Sequence, residues 1–337
     1  MSETFQHPSV AFGRIGVLIV NLGTPEGTSY GPMRRYLKEF LSDTRVIEIP
    51  RFIWWFILQL FILPFRPGRK GKDYAKIWNR QLDESPLKTI TRGQAQALQM
   101  RLGGDVVVDW AMRYGLPAIP ARLDALKAQG CDHILIVPLY PQYAAATTAS
   151  VSDAVFRHLM KRRWVPSIRI APPWHDADIY IEALARSIHE SLQAANFAPD
   201  VLVASFHGTP KDCLLKGDPY HCHCRKTARL LRERMGMSEE HFLTTFQSRF
   251  GKAEWLQPYT DKTMEGLGKA GVQNVAILAP GFVADCLETL EELAMENREI
   301  FIHSGGKAYH YIPCLNDSAA GVDVLEAVIR RELQGWL

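Results

Sequence analysis

Cysteine is scarce: the 337 residues contain six, mostly far apart. This excludes the disulfide framework of a small secreted domain and fits a reducing compartment. Excess charge is also missing. There are 39 Lys and Arg against 36 Asp and Glu, with no long basic stripe, so a nucleic-acid partner is not expected. No low-complexity tract interrupts the chain, and a composition of 47% hydrophobic and 22% charged residues excludes a disordered protein. The opening stretch MSETFQHPSVAFGRIG lacks a basic region followed by an apolar run, so no secretory signal is expected and a cytoplasmic location is. No apolar run reaches the roughly 20 residues of a membrane-crossing helix.

The longest such run is FIWWFILQLFILP over 52–64, thirteen residues with Gln59 as the one polar side chain. In isolation it reads equally well as a buried core helix. Its neighbours favour another reading. Arg51 precedes it, and Arg66, Arg69, Lys70 and Lys72 follow. Aromatic residues beside basic ones suit a lipid headgroup boundary. The preferred expectation is an apolar lip over 51–66, built on Phe52, Trp54, Trp55, Phe56 and Phe61. Such a lip would dip into one leaflet or shield an apolar ligand.

Elsewhere, strand and helix signals alternate. Continuous apolar runs closed by Gly, Pro or polar residues predict strands at 16–23, 105–113, 133–140, 167–171, 200–208, 241–249, 274–280 and 308–313. Helical spacing occupies 29–43, 86–102, 118–129, 148–161, 179–195, 222–236, 259–269, 286–297 and 317–335. Unbroken apolar strands between helices imply parallel sheets covered on both faces. The expected fold is α/β, with two Rossmann-like doubly wound domains at 1–174 and 175–337 and a cleft between them. The last helix is a candidate to pack back on the first domain. Ligands of such sheets bind beyond the carboxyl ends of strands.

At those ends the chain carries chemistry. The strand at 200–208 delivers His207 just before Gly208 and Thr209-Pro210. An imidazole there can bind a divalent metal or take up protons near neutral pH; it can also simply cap the turn. The strand at 274–280 leads to Asp285 and Glu288, and Glu288, Glu292 and Glu296 recur at a spacing of four on one helix face. At about 1.5 Å per residue the stripe spans about 12 Å. It reads either as a solvated acidic face or as a ladder passing a hard cation.

The segments NLGTPEG (21–27), RYG (113–115), PLYPQY (138–143), SFHGTP (205–210), GDPY (217–220), TFQSRFGKAEWLQPYTD (245–261) and FVADCLETLEEL (282–293) follow one another in an order that resembles the ferrochelatase family. The resemblance covers roughly residues 13 to 330. It implies that ferrous iron and protoporphyrin are substrates, that haem is the product, and that no cofactor is required. It implies His207 and Glu288 as the catalytic and metal-site pair, with Glu292 and Glu296 as the acidic stripe leading to them. Leu22, Tyr114, Tyr140, Tyr220 and Trp255 match positions near the family's cleft, where a distorted macrocycle would be clamped. The apolar lip matches the family's lip, which implies a peripheral contact with the inner face of the membrane. Some family members carry a [2Fe-2S] cluster. The last 23 residues here hold no Cys, which disfavours one, but Cys213, Cys222 and Cys224 form an internal group that offers three ligands. Cys286 is expected near the cleft as a free thiol. Alternatives are a ferrochelatase acting on coproporphyrin, another tetrapyrrole chelatase, and a non-catalytic haem or iron carrier. Leu22 favours protoporphyrin, and the presence of both His207 and Glu288 disfavours a carrier.

Overall fold

The computed structural model describes residues 10–251 and 253–337, so most of the opening stretch read for a secretory signal lies outside the described residues. Among the described residues, eight strands form two parallel sheets. In the first, β1 (Arg14–Gly23), β2 (Val106–Tyr114), β3 (Cys131–Pro138) and β4 (Ser167–Ile170) take the order β2-β1-β3-β4. In the second, β5 (Val201–His207), β6 (Phe242–Gln247), β7 (Asn274–Leu278) and β8 (Ala308–Tyr311) repeat it as β6-β5-β7-β8. A parallel pair needs a long crossover, and helices supply it. The leading strands β1 and β5 therefore become interior strands. Their continuous apolar character follows, since Val17, Leu18, Ile19 and Val20 are wholly buried, as are Leu202, Val203 and Ala204.

The main core runs through both sheets. Val17, Leu135 and Val137 of the first share a cluster with Leu202, Phe206 and Ala276 of the second. The helix Ala319–Leu333 contributes Val324, Val328 and Leu333 to that cluster and lies against the helix Pro86–Leu102. There, Arg101 reaches Asp323 at 2.5 Å and Glu326 at 3.1 Å. The chain's C-terminal helix thus closes over the N-terminal half.

Several helices were hidden from sequence reading. Arg66–Ile77 is helical despite Pro67, Gly68 and Gly71. Proline is tolerated in a first turn, where its missing N–H would be unpaired anyway. The lip is a short helix, Arg51–Ile57, running straight into a π-helix, Leu58–Ile62. The segment expected as an α-helix over 286–297 is a π-helix, Glu288–Asn297, followed by an α-helix, Arg298–His303. π-Turns cluster at functional sites because the wider helix re-aims side chains. Among the described residues no helix is long and apolar enough to cross a membrane.

Candidate active site

Two strand ends build the site. At the end of β1, Gly23 has φ +114, and a Cβ there would fall 1.8 Å from the Tyr114 carbonyl oxygen. Only glycine lets the chain turn so tightly against β2. Leu22, half-buried, packs with the cluster under the lip. The Tyr36 hydroxyl donates to the Gly23 carbonyl at 3.3 Å. Tyr36 and Tyr74 are buried, and burial pushes both phenols well up, with the nearby Glu288 charge adding to it. Leu287, next to Glu288, belongs to the same cluster as Tyr36, Tyr74 and Trp54. One small core therefore joins the lip, the end of β1 and the start of the π-helix.

At the end of β5, His207 is half-buried. Its Nδ1 lies 2.7 Å from the Gly208 carbonyl oxygen. A carbonyl only accepts, so Nδ1 carries the proton, and in the neutral ring Nε2 holds a free lone pair. Gly208 is required here by close approach: an added Cβ would stand 2.7 Å from the Gln247 carbonyl oxygen and 3.2 Å from the Trp255 ring. Trp255 is buried beside this turn and packs on Phe250, with ring centroids 5.0 Å apart.

Gln247 pairs with His207 in the β5–β6 register and ties the two sides together. Its Nε2 donates to the Glu288 carbonyl at 2.8 Å, and its Oε1 accepts from Ser205 Oγ at 2.8 Å. Ser248 follows in a left-handed conformation, φ +66, unusual for a residue with a Cβ. The conformation serves a contact. Ser248 N–H donates to Glu292 Oε1 at 2.7 Å, and its hydroxyl donates to Oε2 of the same carboxylate. Glu292 is held facing His207, and its pKa is raised, first by burial, while the Ser248 hydrogen bonds and His207 pull the other way.

The acidic stripe is graded. Asp285 is buried and fully engaged, accepting from Thr289 and Tyr311 hydroxyls at 2.9 and 2.5 Å and from Asn316 Nδ2 at 2.7 Å. It is a structural group. Glu288 and Glu292 are half-buried, and Glu296 is exposed. Burial and the neighbouring charges of Glu292 and Glu291 raise Glu296. An i→i+5 helix still keeps residues four apart on one flank, so the stripe survives the change of helix type. Among the described residues, no three His, Cys, Asp or Glu side chains gather closely enough to enclose one cation. Glu288, Glu292 and Glu296 follow one flank of the helix, and His207 stands near Glu292.

Of the other expected wall residues, Tyr114 belongs to the same small core as Leu22 and Tyr36 but is closed in. Tyr114 is 0% exposed, and its hydroxyl donates to Asp43 at 2.8 Å, so it has no face to offer a ligand. Its motif partner Arg113 also reaches Asp43. Tyr140 is half-buried against β1 and β3 residues with its hydroxyl unpartnered. Tyr220 is buried in the main core. The cysteine group does not converge. On the helix Tyr220–Arg234, Cys224 is buried in the main core while Cys222 points to solvent, and Cys213 lines a separate cavity with Lys216 and Asp218. Residues two apart on a helix point to opposite sides, so a shared cluster has no geometry there. Cys286 is a free, buried thiol against Leu87 and Met112.

The lip is not a core helix. Phe52 is 76% exposed, Trp55 56%, Phe56 42% and Phe61 68%. Trp54 is the exception: it is 6% exposed and its Nε1–H donates to the Leu41 carbonyl at 2.6 Å. It anchors the lip and presents nothing. Sequence reading missed Tyr36, Tyr74, Gln247 and Ser248, and took Arg66 only as a basic flank of the lip. Gln247 and Ser248 stand inside a quoted motif, yet their role depends on a residue 44 positions later. Arg66 is half-buried over the Phe250 ring at 5.4 Å, with no carboxylate partner among the described residues.

Two parallel sheets of this order, with imidazole and carboxylates at their carboxyl ends, define a chelatase-like protein. The fold matches SirB from Bacillus subtilis with Fe3+ (TM-score 0.56, 14% identity, 96% of this chain and 97% of that one). It also matches CbiX, the terminal enzyme for biosynthesis of siroheme in denitrifying bacteria (TM-score 0.52, 14% identity, 95% of this chain and 100% of that one). The sequence pattern of the ferrochelatase family matches residues 14–333. Identity is 59% over 333 residues to the ferrochelatase of Agrobacterium fabrum, covering 98% of this chain and 97% of that one. To the ferrochelatase of Rhizobium meliloti it is 56% over 339 residues, the full length of both. The chain belongs to the ferrochelatase family, lyases that insert iron into a porphyrin to form haem.

Proposed function

We propose that this chain inserts ferrous iron into protoporphyrin between the ends of β1 and β5, with His207 as proton acceptor and the π-helix carboxylates as the iron route. One observation carries the division of roles: the Gly208 carbonyl fixes the His207 proton on Nδ1, leaving the Nε2 lone pair free. Metal insertion expels two pyrrole protons. A neutral imidazole accepts one at Nε2 without rearranging, and a carboxylate of the stripe accepts the other. Glu288, beside Tyr36 and Tyr74, is the carboxylate nearest the apolar side. Glu292 is spanned by Ser248 and suits a relay position, since its oxygens already accept hydrogen bonds. Glu296 is the exposed entry.

Leu22 and Phe250 supply apolar surface, with Trp255 buried behind Phe250 as its support, and the unpaired Arg66 guanidinium supplies a cation for a porphyrin carboxylate. The lip residues Phe52, Trp55, Phe56 and Phe61 would rest in one leaflet, so that apolar substrate and product pass without crossing water. The protein would then sit on the cytoplasmic face of the membrane as a peripheral protein. Leu22 and this lip support protoporphyrin over the more polar coproporphyrin. The test is anaerobic turnover with each porphyrin in parallel, in detergent so that membrane supply plays no part. Faster turnover of protoporphyrin supports the reading, and a preference for coproporphyrin overturns it.

A further inference from the structure

A cavity of about 590 Å³ opens at the foot of the lip. Five cations line it, Arg35, Lys38, Arg51, Arg113 and Arg157, against two carboxylates, Glu39 and Asp43. Both carboxylates are already engaged. Asp43 is buried and accepts from Arg113, Tyr114 and Ser150, and Glu39 accepts from the Gly115 N–H at 3.0 Å. Arg35 and Arg157 are only loosely paired, with Glu26 at 3.4 Å and Asp153 at 3.6 Å. Lys38 and Arg51 are exposed and have no carboxylate partner among the described residues.

The charge is regional. Residues 30–77, which form the lip and its supports, hold ten Lys and Arg and four Asp and Glu, a net +6. The whole chain is +3, so everything else sums to −3. Arg51 is also the first residue of the lip helix, whose Phe52, Ile53, Trp55 and Phe56 are exposed. Cations and apolar aromatics therefore meet at one edge. A soluble polyanion would have no use for the aromatics, and a purely apolar ligand none for the cations. An anionic phospholipid matches both, with phosphate above and acyl chains beside it.

We propose that this cavity binds the phosphate of an anionic phospholipid while the lip enters the same leaflet. The proposal rests on the lip reading above and adds headgroup selectivity to it. Co-sedimentation of the full chain with phosphatidylcholine vesicles and with vesicles containing phosphatidylglycerol separates the two ideas. The parent should prefer the anionic vesicles, and the preference should fade at high salt. Each headgroup-level cation contributes about fivefold to binding, so Lys38→Gln with Arg51→Gln should cut the anionic preference by about 25-fold. Binding to phosphatidylcholine should stay unchanged, as should turnover in detergent. Trp55→Glu with Phe56→Glu should lose both vesicles. Equal binding of both vesicles by the parent, or a preference unaltered in the Lys38/Arg51 variant, overturns the cavity proposal and leaves the lip standing. A parent that binds neither vesicle overturns the lip reading. Saturable binding of inorganic phosphate without vesicle binding would make the cavity a free-phosphate site, which also overturns the lipid assignment.

Discussion

Ser248 pays for a left-handed backbone, φ +66, with two hydrogen bonds to Glu292. If that contact positions the iron route, Ser248→Ala should lower kcat about tenfold or more, since a hydrogen bond to a charged group is worth about 1.5–3 kcal/mol. Ser248→Gly should lose the same activity but melt higher than the Ala variant, because glycine accepts the conformation freely. Parental kcat in both variants would remove Ser248 from the mechanism. The three glutamates divide differently. Glu288→Gln should collapse kcat. Glu296→Gln, altering an exposed entry, should raise the apparent iron KM more than it lowers kcat. Three equal, small effects would return the stripe to a solvated face. The placement of His207 at a strand end and of Glu288 at the start of the following helix was legible in the sequence, because the unbroken apolar runs mark where the strands stop. Ser248 was not, because a positive φ and a contact across 44 residues leave no local mark. Tyr114 lies at the strand end where the sequence sets it, yet it is closed in, because the sequence does not reveal Asp43 above it.

The lip segment shows what an element's sequence leaves undecided. Thirteen nearly all-apolar residues carry no periodicity, so the pattern cannot say which side faces in. The structure turns Trp54 inward and leaves Phe52, Trp55 and Phe61 out. Trp54→Ala should therefore destabilise by about 3–5 kcal/mol, the usual cost of emptying a buried aromatic site, and lower the melting temperature. Trp55→Glu with Phe56→Glu should leave the melting temperature near the parent's while vesicle binding fails. A large loss of stability in that exposed pair would mean the lip is core after all. The strands were easier to read, since covered parallel strands write unbroken apolar runs. The π-helix at Glu288–Asn297 was read as α-helix, because the difference is one of hydrogen-bond register and not of composition.

Across the whole molecule, the seam between the two halves carries a titration. His175, just after β4, stacks on His223 of the second half with ring centroids 3.8 Å apart. Its Nδ1 is buried without a partner. Burial first, and then the neighbouring His223, push the His175 pKa well below the ordinary 6.5. The unfolded chain thus takes up a proton below about pH 6.5 that the folded chain refuses until lower pH. Stability is full above that value and falls as the pH drops. Melting temperatures between pH 7.5 and 5 should show the decline, and His175→Phe, which keeps the stack without the proton, should flatten it. An identical slope in the variant would place the acid sensitivity elsewhere.

The two sheets share one core, and the helix Ala319–Leu333 closes over it. The most direct test of the account is single-turnover iron insertion under anaerobic conditions, with protoporphyrin pre-bound and His207→Ala compared with the parent. A half-buried imidazole at the end of a well-packed strand contributes little to folding, so the variant should melt with the parent and still bind porphyrin. Loss of the proton acceptor should slow insertion by about 100-fold or more. Insertion within a few-fold of the parent, in a folded and porphyrin-bound variant, would contradict the central role assigned to His207.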